Sequence, residues 1–507
     1  LRVLSGMNLP KHFDLVVYYE MLLFMGGYPG DARELRLVQK EIHRITAWLK
    51  AMDQKKKALF DNTGMPFTET EAQYSHDGLR WLSTHPDLRI VDLHFQESIL
   101  TLNDVLRLTL PSLERSETTA GMSNEELLHA LGVGHRERVA FLIRELDRYN
   151  SNPLLKDHLF DKLSVFVRIQ AKHQSYSKAY NRLQSPPVYF HHDLLRKIEF
   201  SSILSQPIPP AVPLNDQERY EAIQVVKNAM AITARETDPT TFMMEHSFRL
   251  YHLDRGFSVA IYDMIPARQL PLESYIGYTA FKNGYPAAYG GAWVFGEMAI
   301  FGLNIFESFR SGESAYCCAQ LLHVYQSLFN LRYFEIEPYQ FGLDNPEGIA
   351  SGAFWFYYRL GFRSLDPALR ARAEREAAKI KVRKGYRSGP GVLTSFTGSN
   401  LGLKIKGRTP PKVIPIMADV SSMIKRKFKG DRLRAETICL QEFMLKTGFT
   451  EKLNPDEQEV IKEMALWAAA HKIEDSRRLN LMKEMIRTKP VDVFQYQAAL
   501  RRFFSPA

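Results

Sequence analysis

Cysteine is nearly absent: three of 507 residues, Cys317, Cys318 and Cys439. Two of them are neighbours, which rarely bridge, so no disulfide framework is expected. The scarcity fits a reducing cytoplasm, the expected location. No apolar run reaches about 18 residues and the mean hydropathy is −0.26, so no membrane span is expected. Leu1–Gly30 has neither a basic start nor a small-residue cleavage site, and the expectation there is no signal peptide. A Walker phosphate loop, a serine nucleophile elbow and a CxxC pair are all missing. So is any period of 20–50 residues that would mark a solenoid. What remains is an ordinary globular composition, 45% apolar and 24% charged, on a chain long enough for two to four domains.

The net charge of +9 is not spread evenly. Residues 370–435 hold 18 Lys/Arg against 4 Asp/Glu, a local balance of +14 that leaves the rest of the chain at −5. Two runs stand out, Lys379-Ile-Lys-Val-Arg-Lys384 and Lys425-Arg-Lys-Phe-Lys429. Such a field attracts phosphates, an acidic carrier protein or nucleic acid; the plainer alternative is a solvated helix face. Tyr386, Phe396 and Phe428 are too few and too scattered to predict a base-stacking platform.

Periodicity divides the chain into four parts. Residues 1–204 read as an all-helical domain. Leu35, Val38, Ile42, Ile45 and Leu49 form an apolar stripe over Ala32–Met52, and Ser123-Asn-Glu-Glu126 spells a capping box. Residues 205–213, SQPIPPAVP, read as a proline-rich linker. Residues 214–366 alternate: a helix over Asn215–Arg235, strands over Phe257–Met264 and Ser274–Phe281, a turn at Lys282-Asn283-Gly284, and a strand over Tyr285–Phe295. A strand over Met298–Phe306, a helix over Ala315–Phe329, a strand over Tyr333–Glu337 and a helix over Ile349–Leu360 follow, an α+β order. Residues 367–507 read as a basic helical region, broken by a Gly/Ser-rich stretch, Ser388–Leu403, expected to be a mobile loop. In the same region Asn454-Pro455-Asp456-Glu457 begins a late helix.

The chemically informative stretch is 302–362. A strand, GLNIF, runs through Glu307-Ser-Phe-Arg310-Ser-Gly312-Glu-Ser-Ala315 into a helix. Free N–H groups and a positive dipole end at such a helix start suit a phosphate. Further on lie Asn345 and an aromatic helix, Phe354-Trp-Phe-Tyr357-Tyr358-Arg-Leu-Gly361-Phe362. His191-His192-Asp193 lacks further ligands at metal spacing, so a structural role is expected and no metal. Cys317 and Cys318 are expected to be buried small hydrophobes.

The loop and the aromatic helix, in this order, resemble the GCN5-related N-acetyltransferase (GNAT) superfamily. Its members carry Arg/Gln-x-x-Gly-x-Gly/Ala after the fourth strand and a late Phe-Tyr-x-x-Leu-Gly-Phe helix. Arg310-Ser-Gly312-Glu313-Ser314-Ala315 and Phe356-Tyr357-Tyr358-Arg359-Leu360-Gly361-Phe362 match those two elements. The resemblance covers about residues 215–366. It implies a mixed, mostly antiparallel sheet in which two central parallel strands are wedged apart to hold acetyl-CoA or another acyl-CoA. Pantetheine would lie along the strand at Asn304 and Phe306, and the pyrophosphate on Arg310, Ser311, Gly312, Ser314 and Ala315, with Asn345 nearby. Tyr357 would protonate the leaving thiolate and Glu297 would take the proton of an amine, with Glu335 and Glu337 as alternative bases. The donor would be acyl-CoA or acyl-carrier protein, and the acceptor an amine-bearing small molecule, peptide or protein. Two features depart from the pattern. Glu313 stands where the family has glycine, and a carboxylate there repels a pyrophosphate unless a one-residue slip puts Gly312 in that role. The interval from Asn345 to Tyr357 is also long. An acyl-CoA-dependent N-acyltransferase is the leading expectation. Against it stand a non-catalytic GNAT-like scaffold and a nucleic-acid-associated protein using 370–435. The aromatic neighbours of Tyr357 also fit a plain packing stripe.

Overall fold

The chain was described by a computed structural model, in which residues 1–10, 13–119, 121–184, 186–449 and 452–505 are placed. Among the described residues from Arg249 onward, eight strands form one sheet. They are β4 (Arg249–His252), β5 (Phe257–Asp263), β6 (Ser274–Lys282), β7 (Tyr285–Phe295), β8 (Met298–Ile305), β9 (Tyr333–Ile336), β10 (Arg363–Ser364) and β11 (Leu401–Lys404). Their order is β10-β11-β9-β8-β7-β6-β5-β4. Short turns join β4 to β5, β6 to β7 and β7 to β8, while residues 264–273 join β5 to β6; Asn283 and Gly284, at φ 45° and 85°, close the β6–β7 hairpin. The connection from β8 to β9 carries a helix, Ser314–Phe329, and that pair is parallel. The parallel pairing spans only Met298↔Tyr333, Ala299↔Phe334 and Ile300↔Glu335, after which β8 continues to Ile305 beside β7 alone.

Both faces of the sheet are covered, which is why every residue of β5 is buried, Ser258 and Asp263 included. The helix Ser314–Phe329 packs Leu321, Leu322 and Tyr325 on Tyr278, Ala292 and Phe301. Against the other face lie Ala222, Ile223 and Val226 of the helix Asp216–Ile232, over Ala260, Tyr262 and Phe281. Farther along, Tyr285, Ala287 and Tyr289 meet the helices Phe13–Gly27 and Ala32–Ala51. Among the described residues, five helices between Val413 and Phe504 form a bundle on the remaining flank, joined to it through Phe295, Met298 and Tyr333. Gln497, wholly buried, fastens that bundle by bonding Gly296 N–H, Ser274 Oγ and the Val294 carbonyl. Among the described residues no helix is long and apolar enough to cross a membrane.

Three expectations need correction. The N-terminal region is not all-helical: β1 (Glu69–Gln73), β2 (Leu88–Phe95) and β3 (Val165–Ala171) form an antiparallel sheet in the order β1-β3-β2. Val165, Val167, Ile169 and Ala171 alternate inward with period two, while the polar β1 carries no such signal. The basic region is not helical throughout either. The stretch 388–403, expected to be a mobile loop, holds the helix Pro390–Phe396 and the start of β11. Leu393, Phe396, Leu401 and Leu403 anchor it in the sheet core, and Phe396 stacks on Phe354 with ring centroids 4.1 Å apart. Four spaced apolar residues outweigh the Gly/Ser composition, since burial rather than propensity decides. Finally, the single helix read over Ile349–Leu360 is two, Pro346–Ser351 and Ala353–Arg359, split at Gly352 with φ 67°.

Candidate functional site

Where β8 loses its strand partner, the gap toward β9 is filled from within the chain. A tight turn, Pro338–Phe341, follows β9 and carries Gln340 into the opening. The Leu303 N–H donates to Gln340 Oε1 at 3.0 Å, and the Tyr357 hydroxyl donates to the same oxygen at 3.2 Å. Tyr357 is buried in the sheet core, and burial, with Cys318 adding to it, pushes its hydroxyl well above the ordinary tyrosine range. A phenol so placed is a poorer proton donor to a leaving thiolate. Tyr278 reaches the same strand from β6 and donates to the Gly302 carbonyl at 2.9 Å. Gly290 makes that possible, because a Cβ there would strike both the Gly302 carbonyl and the Tyr278 hydroxyl.

The residues expected to act together are spread out. Glu297 sits before β8, at the end where the parallel pair is still closed, and is ion-paired with Arg332. Six residues of strand, roughly 20 Å, separate it from Leu303. Glu335 is buried and paired with Lys412, with Asn400 Nδ2 donating to it at 3.1 Å; Glu337 is exposed. Asn304 pairs with Tyr289 across the ladder. Phe306 donates its N–H to the Ala287 carbonyl at 3.0 Å and packs its ring against Tyr289, centroids 5.1 Å apart. Asn345 is a helix cap: its Oδ1 accepts from Gly348 N–H at 3.2 Å while its Nδ2 donates to the Tyr339 carbonyl.

At the loop 310–315 two of the groups suited to an anion, the Arg310 side chain and the Glu313 N–H, are likewise engaged. Arg310 is ion-paired with Glu347. The Glu313 N–H donates to the Tyr28 hydroxyl at 3.1 Å, and the Tyr28 ring packs so closely on Gly312 that a Cβ there would collide with it. Arg196 donates to the carbonyls of Ser311 and Gly312, and Ser314 Oγ to that of Arg310. Ala315 packs against the sheet core.

Glu313 does not face the outside of the loop. It is 2% exposed and turned inward onto two cations from two hairpins. Lys282, also 2% exposed, donates from Nζ to Glu313 Oε2 at 2.8 Å and to the Arg255 carbonyl at 2.7 Å. Arg255 donates from Nε to Glu313 Oε1 at 3.0 Å and makes an ion pair through Nη2. The Leu195 N–H completes the set at 2.9 Å. Burial raises the Glu313 carboxyl, but Arg255 and Lys282 outweigh it and hold the group below the ordinary carboxylate range. His191 closes the cluster with Nδ1 3.8 Å from Glu313 Oε1, and burial together with Lys282 lowers its pKa to about 4. Neutral His191 is therefore a packing member here, and His192 and Asp193 are exposed. Cys317 and Cys318 are buried, the Cys317 thiol pushed up to about 12 by burial. Sequence reasoning missed Gln340, Tyr28 and Arg255 entirely and saw Lys282 only as a turn residue. None belongs to a local motif; distant turns bring them together.

No family model, curated protein or solved structure matches the chain.

Proposed function

We propose that the β4–β11 domain is a GNAT-like fold whose donor cleft is occupied by the chain's own side chains, and that the protein serves as a non-catalytic scaffold. The observation that carries this is Gln340, which takes up the Leu303 N–H and the Tyr357 hydroxyl in the one place where β8 and β9 part. The splay itself supports the GNAT-like reading. The filling speaks against an acyl donor, since pantetheine needs strand groups that are free to bond it. Tyr28 on the Glu313 N–H and Glu347 on Arg310 extend the same pattern to the loop where a pyrophosphate would lie. The acyltransferase reading keeps Tyr357 beside the splay as its support, and one experiment separates the two. Calorimetric titration of the full chain with acetyl-CoA gives no binding up to about 1 mM if the cleft is closed. Saturable binding below that, with turnover that Tyr357→Phe lowers by roughly 10²-fold, establishes the enzyme instead.

A separate observation bears on partners. Lys425, Arg426, Lys427 and Lys429 are all exposed at the end of the helix Val413–Phe428, and among the described residues none has an ion-pair partner. A scaffold presenting them suits a polyanion. Neutralising all four flattens the salt dependence of RNA or DNA binding; an unchanged slope excludes this surface.

A further inference from the structure

A cavity of about 200 Å³ is lined by Leu23 of the helix Phe13–Gly27, by the end of the helix Asp216–Ile232 and by the residues that follow β8. Its apolar wall is Leu23, Ile232, Phe306 and Phe309. Two charged side chains of opposite sign, Arg235 and Glu307, also line it. Both are exposed, and among the described residues neither has an ion-pair partner, although the other charge lining the cavity, Lys178, is paired with Glu20. Arg235 is not loose. Its Nη1 donates to the Tyr289 hydroxyl at 2.6 Å and its guanidinium lies 5.7 Å from that ring, which in turn packs on Phe306. Tyr289 thus fixes the cation beside the apolar wall without neutralising it.

The geometry points to a binding site for a free α-amino acid with an apolar side chain. The pairing of an oriented cation and an unpaired carboxylate over one apolar recess matches a zwitterion with a hydrocarbon tail. The carboxylate would bond Arg235, the ammonium would meet Glu307, and the side chain would sit among Leu23, Ile232, Phe306 and Phe309. A purely anionic ligand would be repelled by Glu307 and a purely cationic one by Arg235. The volume suits a side chain of leucine to phenylalanine size, since an apolar cavity of about 150 Å³ already admits benzene. The position between two regions of the chain is one that ligand sites favour. This proposal is independent of the scaffold reading, because none of these residues bonds Gln340, Tyr357 or the Arg310–Ala315 loop except through the backbone.

The test is calorimetric titration of the full chain with L-phenylalanine, phenethylamine, which lacks the carboxylate, and hydrocinnamate, which lacks the ammonium. L-Phenylalanine binds, and each analogue binds at least roughly tenfold more weakly. Arg235→Gln brings L-phenylalanine down to the level of phenethylamine, and Glu307→Gln to that of hydrocinnamate. Both substitutions are at exposed positions, and near-ultraviolet circular dichroism checks that the fold is kept. No binding of L-phenylalanine or L-leucine at about 10 mM overturns the proposal. So does equal affinity for all three compounds, or unchanged affinity in both variants.

Discussion

Replacing Glu313 by alanine removes the only carboxylate from a buried cluster and leaves Lys282, Arg255 and the Leu195 N–H without it. Lys282 keeps just one acceptor, the Arg255 carbonyl at 2.7 Å, and has almost no route to water. Arg255 retains the Asp193 carbonyl and the Tyr189 hydroxyl and is 18% exposed at its side chain, so its share of the loss is smaller. Breaking a buried pair by removing one partner costs about 3–5 kcal/mol, and the orphaned Leu195 N–H falls within that range rather than adding fully to it. Glu313→Gln keeps an acceptor but loses the charge, so about 1–3 kcal/mol is expected. Glu313→Leu with Lys282→Met removes the Glu313–Lys282 pair and recovers the part of the loss that comes from the buried lysine, while Arg255 and the Leu195 N–H remain without the carboxylate. Urea unfolding followed by circular dichroism measures the midpoints, and hydrogen exchange at the Leu195 amide reports the local opening. A double-mutant cycle between positions 313 and 282 then gives a coupling energy above about 1.5 kcal/mol. Additivity within about 0.5 kcal/mol, or a Glu313→Ala loss below about 1 kcal/mol, refutes the reasoning.

Two further predictions concern acid sensitivity and the reassigned loop. His191 is held neutral down to about pH 4 in the fold, whereas the unfolded chain protonates it near pH 6.5. Between those values the unfolded state binds more protons, so this residue's contribution is complete above pH 6.5 and falls away as the pH drops toward 4. His191→Gln should flatten the stability profile in that window; an unaltered slope there removes His191 as its source. Phe396 is fully buried against Phe354, and Phe396→Ala should cost about 3–5 kcal/mol and open 388–403 to proteases that spare the wild type. Wild-type cleavage within 388–403 as fast as in the variant contradicts the placement of this stretch in the core.

Much of the secondary structure could be read locally because local signals dominate it. The β6–β7 hairpin followed from Asn283-Gly284, and the strand Tyr285–Phe295 came out at its observed bounds. Where a segment's fate depends on distant partners, the reading failed. β1, ETEAQ, is a strand only because β3 pairs with it, and the Gly/Ser-rich 388–403 is ordered only because Phe354 and the sheet core receive Leu393 and Phe396. The candidate site divides the same way. Tyr357 does stand beside the splay of β8 and β9, but Gln340, 17 positions earlier, decides whether its hydroxyl is free. Glu313 looked like a charge facing the loop's ligand side. Lys282 and Arg255, on hairpins 31 and 58 positions away, draw it inward instead. Such contacts leave no trace in spacing or periodicity.

The Leu303 amide is the most direct probe of whether the cleft is closed. Its ¹⁵N–¹H resonance in the full chain, followed during addition of acetyl-CoA to about 1 mM, should stay in place and exchange slowly with solvent. Gln340→Ala should speed that exchange by removing its acceptor. A wild-type Leu303 resonance that shifts and saturates with acetyl-CoA would contradict the account, because the donor would then be displacing Gln340 from the strand.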